Sequence, residues 1–260
     1  CSISTEEEDT TDYGTSDGTA SAPVELTVGT EKSGGIAYDG YSYYKFTTSA
    51  TGAGNYKFAI ASMTVTDGWG SSALSTYLYS NSGMTSSSRL DSESCAASCT
   101  LYFDYENLDA SKTYYLKLSA YGTITYSLTV SQGNSEGSKN NPVELTLGTA
   151  HSGTIDNIAA NWEYGYSYYK FTTASADNHT LTMNNSDSLD CSLYSDSGFS
   201  TSVYSYYNDC TAGTNLSETF TGTSSSVGLL SGTSYYLRIE GTSSTIKTTT
   251  YNITVAAEGN

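Results

Sequence analysis

Basic residues are scarce in this chain of 260: 10 lysines and arginines face 27 acids, for a formal charge of −17 and a pI near 4.2. Gripping a phosphate backbone needs a basic footprint that releases counterions, so nucleic acid is excluded as a partner. Histidine is scarcer still, with only His151 and His179. Neither stands in a catalytic motif nor recurs where the chain repeats itself, and both read as surface imidazoles. No pair of carboxylates shows the fixed spacing that glycoside hydrolysis needs. The chain is therefore expected to be non-enzymatic, without a cofactor and without a metal. No apolar run approaches the roughly 20 residues that span a bilayer, so membrane contact could come only through a lipid.

What fills the chain instead is Ser, Thr, Gly and Asn, with 25 tyrosines and only 2 prolines. Such a composition suits strands and turns. Apolar residues alternate with polar ones along short segments: Val24, Leu26 and Val28 share a face, as do Tyr114, Leu116 and Leu118, and Tyr126, Leu128 and Val130. A period of two is the mark of a strand with one buried face, and no stretch shows the 3.6-residue period of an amphipathic helix.

The strongest signal is self-similarity. PVELTVGT from Pro23 returns as PVELTLGT from Pro142, and GYSYYKFTT occurs identically at Gly40–Thr48 and Gly165–Thr173. LYSNSGM from Leu78 matches LYSDSGF from Leu193, TYYLKL from Thr113 matches SYYLRI from Ser234, and YSLTV from Tyr126 matches YNITV from Tyr251. Five blocks in one order imply an all-β chain of two tandem antiparallel, jelly-roll-like β-sandwiches, at 23–131 and 142–258. Residues 1–22, with the acidic run Glu6–Asp9, read as a polar acidic tether, and the Gly-, Ser- and Asn-rich residues 132–141 as a linker.

This order of strand wordings resembles the bacterial pre-peptidase C-terminal domain. The resemblance covers both copies and leaves only tether and linker outside it. It implies a β-sandwich that aids targeting or attachment of secreted or surface proteins, and it implies no catalysis. Some relatives bind calcium through acids before the first strand and bind their ligand through exposed tyrosines. This chain departs from the calcium pattern: only Asp17 precedes the first copy closely, and Glu136 is the one acid before the second.

Four pairs recur at matching positions: Tyr43 with Lys45, Tyr115 with Lys117, Tyr168 with Lys170, and Tyr236 with Arg238. Each pair is two residues apart and alternates with core candidates, which places it on an outer sheet face. Exposed phenol rings beside cations could bind a protein or a glycan, or they could only satisfy β-propensity and cross-strand pairing.

Cysteines fall into two local groups, Cys95 with Cys99 and Cys191 with Cys210, each expected as a disulfide of an exported protein. Cys1, followed by serine and a polar acidic stretch, resembles the acylated first residue of a bacterial lipoprotein; a cloning boundary or a cross-linking thiol are the other readings. Asp187, Asp190, Asp196 and Asp209 read as turn residues. The expected function is a cell-surface or extracellular adhesive or binding module, with an extracellular protein or glycan as partner. The alternatives are a subunit of an extracellular filament, which would bind copies of itself, and an accessory targeting module of a secreted hydrolase.

Overall fold

The computed structural model describes residues 16–67, 74–96, 99–102, 107–157, 165–185, 187–210, 215–220, 229–242 and 247–257. These residues form an all-β sandwich fold, as the alternation predicts. The first half runs β1 (Val24–Leu26), β2 (Glu31–Ile36), β3 (Tyr41–Thr47), β4 (Gly54–Asp67), β5 (Leu74–Tyr79), β6 (Arg89–Cys95), β7 (Cys99–Tyr102), β8 (Thr113–Ser119) and β9 (Thr123–Glu136). The second runs β10 (Val143–Glu144), β11 (His151–Asn157), β12 (Tyr166–Thr172), β13 (His179–Asn185), β14 (Leu189–Tyr194), β15 (Ser202–Cys210), β16 (Asn215–Phe220), β17 (Ser234–Gly241) and β18 (Lys247–Ala257).

Two sheets, β1-β3-β8-β5-β6 and β2-β9-β4-β7, draw only on the first half; β10-β12-β17-β14-β15 and β11-β18-β13-β16 draw only on the second. The orders correspond strand for strand. One detail corrects a fully antiparallel expectation: β1 runs parallel to β3, and β10 parallel to β12. The chain crosses from one sheet to the other after β1 and crosses back after β2, and two reversals restore the original direction.

Inward residues from both sheets of the first half, among them Phe46, Leu78 and Leu116 against Ile36, Phe58 and Leu128, make one core. Phe171, Leu193 and Leu237 pack likewise with Ile155, Leu181 and Ile253 in the second. Each core also holds a polar tie. Tyr44 on β3 and Tyr126 on β9 belong to facing sheets, and their hydroxyls lie 2.7 Å apart. Tyr44 Oη–H donates to Asp17 Oδ2 at 2.8 Å, which leaves Tyr126 to donate to Tyr44. Asp17 also accepts the Gly35 N–H at 2.7 Å. In the second half Tyr169 donates to Glu136 Oε2 at 2.9 Å and meets the Tyr251 hydroxyl, while His151 Nε2 lies 2.8 Å from the same carboxylate oxygen. Burial foremost, with the neighbouring phenol and carboxylate adding to it, pushes the Tyr44 and Tyr169 hydroxyls far above their ordinary range, so they stay protonated donors.

The tie explains a glycine in each half. A Cβ on Gly34 would run into the Tyr44 hydroxyl and stand 2.9 Å from the Tyr126 ring, and one on Gly153 would meet Tyr251 at 2.5 Å and the Tyr169 hydroxyl at 2.6 Å. Gly18 and Gly137, next to the two acids, both take positive φ, +64° and +67°, where a side chain is strained.

Two sequence expectations change here. Residues 16–22 do not trail as tether: Tyr43 N–H bonds Asp17 O at 2.7 Å, and Asp17 N–H bonds the Ser42 hydroxyl at 2.8 Å. Residues 132–136 are not linker either, because they complete β9 and pair with Gly54 and Tyr56 of β4. Residues from Glu136 onward form the lead-in of the second half, equivalent to Asp17 and its successors.

Where the halves meet, two buried carboxylates gather donors from both. Asp156 Oδ2 accepts the Asn134 N–H at 2.9 Å and Asn55 Nδ2 at 3.0 Å, with Lys57 Nζ at 3.1 Å; Thr248 Oγ1 and Asn134 Nδ2 serve Oδ1 at 2.6 and 2.9 Å. Burial by itself pushes the Asp156 carboxyl up, but the bonds from Thr248, Asn134 and Asn55 outweigh it and hold the group at about 2. Asp109 of the first half similarly receives Ser138 Oγ at 2.5 Å and Asn140 Nδ2 at 2.8 Å, together with Lys112. A Ser- and Asn-rich stretch that reads as flexible is thereby used up in specific bonds.

Removing the Tyr44 hydroxyl leaves both Asp17 and Tyr126 short of a partner, whereas removing that of Tyr126 deletes only the last donor. Tyr44→Phe should therefore cost about 2 kcal/mol and Tyr126→Phe about 1 kcal/mol in urea unfolding; the reverse order would contradict the tie. Because the folded Asp156 value lies below the ordinary aspartate value of about 3.9, the stability it contributes is complete above about pH 4 and is lost as pH falls through about 2. Denaturation midpoints should drop across that window by an amount equivalent to roughly 2 kcal/mol more in the native chain than in Asp156→Asn, and parallel slopes would refute this.

Candidate functional site

Alternation turns Tyr44, Phe46, Leu116 and Leu118 inward, which leaves Tyr43, Lys45, Tyr115 and Lys117 half-exposed on the outer face of β3 and β8. The register then does what sequence could not foresee: Tyr43 stands directly opposite Lys117, and Lys45 opposite Tyr115. On the other flank of β8, Tyr77 of β5 faces Lys117 and Tyr79 faces Tyr115. The outer face is thus a grid of three rows, Tyr41–Ser119–Ser75, Tyr43–Lys117–Tyr77 and Lys45–Tyr115–Tyr79. Lys45 is held by Glu25 on β1 at 3.1 Å, and Lys117 Nζ lies 3.9 Å over the Tyr41 ring. At the top of the grid is an open hollow of about 280 Å³ lined by Asp39, Tyr41, Ser75, Tyr77, Tyr79, Lys117, Ser119 and Tyr121.

The equivalent face of the second half has the same plan with different chemistry. Its rows are Tyr166–Glu240–Asp190, Tyr168–Arg238–Ser192 and Lys170–Tyr236–Tyr194. Serines have become acids in the top row, and Ser192 stands where Tyr77 stands. Burial foremost raises the Glu240 carboxyl, with Asp190 adding to it against the pull of Arg238. Lys170 pairs with Glu144 at 2.9 Å, repeating the Lys45–Glu25 pair, while Arg238 lies 5.1 Å from the Tyr166 ring and 3.4 Å from Glu240.

Tyr168 corrects the sequence reading. It points outward as expected yet is only 1% exposed, because Phe199 lies over it edge-on, with ring centroids 4.9 Å apart. Phe199 also contacts Tyr194 at 5.5 Å and Tyr236 at 5.6 Å. The turn presenting it is folded around Asp196, whose carboxylate accepts N–H groups of Gly198 at 3.1 Å and Thr201 at 2.5 Å. That agrees with the reading of Asp196 as a turn residue, whereas Asp190 and Asp209, read in the same way, stand within β14 and β15. In the first half the same turn carries Met84, which is half-exposed. One outer face is therefore open and the other is closed by an aromatic lid.

Tyr41, Tyr77, Tyr79, Tyr121 and Asp39 join this site beyond the four recurring pairs. Tyr41 was legible as the residue two before Tyr43, and Tyr77 and Tyr79 as alternating residues of LSTYLY; Asp39 and Tyr121 lie in turns, whose neighbours only the fold reveals.

Cys95, last in β6, and Cys99, first in β7, form a disulfide with Cα atoms 6.3 Å apart. Those strands are edges of the two facing sheets, so the bond clips the sandwich where the chain crosses between them. The second expected pairing does not follow from the register. Cys210 stands opposite Leu189, as Cys95 stands opposite Leu74, whereas Cys191 stands opposite Tyr206 and lies buried in the core 3.9 Å from Met183 Sδ. The side chain of Cys210 and the whole of Cys1 lie outside the described residues.

His151 is partly exposed, but His179 is fully buried with Nδ1 2.9 Å from Asp177 O, which corrects its reading as a surface imidazole. Among the described residues no three of His, Cys, Asp and Glu gather as a metal site.

No protein-family model matches the chain, and no curated protein does. Among solved structures, the PBSX exported protein XepA is 11% identical over 90% of this chain and 89% of its own, with a TM-score of 0.26. A protein described as secreted, from Eubacterium rectale, is 11% identical over 98% and 86%, at 0.24. A chain of the T=1 Penaeus vannamei nodavirus is 14% identical over 80% and 84%, at 0.20. Scores this low carry no argument about what the chain does.

Proposed function

We propose that this chain is a non-enzymatic binding module of the cell surface or extracellular space that engages its partner through the outer face of β3, β8 and β5. The open first face, set against the lidded second face, carries this reading. Both halves build their cores on the same plan, so the difference lies in what each presents to solvent. In the second half Phe199 packs over Tyr168 and Tyr194, both buried, and leaves Tyr166 and Tyr236 partly exposed. In the first half Tyr79 is buried as Tyr194 is, but Tyr43, Tyr77 and Tyr115 stay half-exposed beside a lysine that points outward, and a set of amphipathic rings with nearby hydrogen-bonding groups is the composition of a contact surface.

The Cys95–Cys99 disulfide supports an oxidising location, since such bonds persist outside the reducing cytosol. The likeness of both copies to pre-peptidase C-terminal domains supports attachment over catalysis. His151 is engaged by Glu136 and His179 is enclosed beside Phe171, which leaves both imidazoles in structural company. An acyl group on Cys1 would complete the picture of a surface-held module.

Beads coated with the full chain should adhere to at least one of three immobilised surfaces: fibrillar collagen, mucin, and a neutral polysaccharide such as mannan. The Tyr43→Ser, Tyr77→Ser double variant should cut that adhesion about tenfold at unchanged thermal stability, while Tyr166→Ser with Lys170→Ala in the second half should leave it intact. Adhesion to none of the surfaces, or equal loss from both variants, would contradict the assignment.

A further inference from the structure

The hollow at the top of the first face has a chemistry that narrows the ligand. We infer that it is a saccharide site that takes a neutral sugar ring against Tyr121 and against the face of Tyr41 that Lys117 does not cap. This rests on the reading of the first face as the binding surface, and it goes further by naming what binds.

Exposure is the first observation. Tyr121 is 79% exposed and Tyr41 46%, and Tyr38, in the turn before Tyr41, is 48% exposed. They are three of six large apolar side chains that stand out among the described residues, and all three sit at this one end of the sheet. Scattered exposed rings need no explanation, but two of the three, Tyr41 and Tyr121, line one hollow.

Composition is the second. Phenol rings, the Lys117 stem, Gly40 and the methyl of Ala120 supply the carbon surface of the hollow; no Leu, Ile, Val, Met or Phe lines it among the described residues. An apolar peptide segment or helix would want aliphatic pockets, and none are offered. Around the rings stand hydroxyls of Ser75 and Ser119, which donate and accept, the Asp39 carboxylate, which accepts, and the Lys117 ammonium, which donates. Such a mixture satisfies a ligand whose one face is C–H and whose rim is hydroxyl.

Charge is the third. Lys117 and Asp39 cancel within the hollow, and the chain as a whole carries −17. An acidic sugar would approach against that field. The turn that supplies Asp39 and Tyr41 is itself defined, with Gly40 N–H bonded to Ala37 O at 2.9 Å and Asp39 at φ +53°, a conformation aspartate tolerates. The second half supplies an internal contrast. Glu240 and Asp190 replace Ser119 and Ser75 there, so the same corner is acidic.

Titration of the full chain with cellohexaose, mannohexaose and chitohexaose, followed by calorimetry, should show binding to at least one. Tyr41→Ala and Tyr121→Ala should each weaken it about tenfold without changing the melting temperature, since both rings are exposed. A hyaluronan hexasaccharide should bind more weakly than the best neutral sugar. Absence of binding to all three neutral sugars, indifference to both variants, or preference for the acidic sugar would overturn the inference. If collagen or mucin protein still binds in a way that needs Tyr43 and Tyr77, the binding face stands and only the sugar assignment falls; if nothing binds, both fall.

Discussion

Two phenol hydroxyls and one carboxylate, closed in where the sheets meet, constrain the rest of each half. Tyr44 and Tyr126 come from opposite sheets and Asp17 from the lead-in, so a single chain of hydrogen bonds joins three segments distant in sequence. Burying these groups is tolerable only if every one is bonded. That requirement sets the register of β3, forces glycine at position 34, and docks the segment before the first strand. Once Tyr44 faces inward, alternation leaves no choice about Tyr43 and Lys45, which must face out. The second half meets the same requirement with Tyr169, Tyr251 and Glu136.

A core settled in this way leaves the outer faces free to differ. The two halves keep the Lys45–Glu25 and Lys170–Glu144 pairs and the opposed tyrosine and cation on neighbouring strands. They part at a few positions: Met84 or Phe199 in the turn, Tyr77 or Ser192 on the third strand, serines or acids in the top row. Those few replacements turn an open aromatic grid into a covered one. Meanwhile Asp109 and Asp156 collect donors from both halves, so the junction is built of bonds and not of slack chain.

Much of this was readable in the residues. Period two marks Tyr44, Phe46, Leu116 and Leu118 as inward, and the repeated blocks imply two copies of one all-β module. What was hidden has physical causes. The parallel β1–β3 pair depends on two sheet crossings that no local pattern encodes. Asp17–Gly18 and Glu136–Gly137 looked like tether and linker because Gly, Ser and Asn are the residues of flexible chain. They are also the residues that bond backbone and tolerate positive φ, and composition does not separate the two uses. Tyr168 is covered by Phe199, a contact across 31 positions of sequence. Cys191 and Cys210 lie on paired strands, but only the register shows that they are not opposite each other.

One outer face is open, and Phe199 closes its counterpart over Tyr168. Nitration of the intact native chain with tetranitromethane, read by peptide mass spectrometry, measures this directly through solvent access to each ring. Tyr41 and Tyr121 should be modified early, and Tyr168 and Tyr194 should stay protected until the chain unfolds. Equal modification of Tyr41 and Tyr168 would contradict the account.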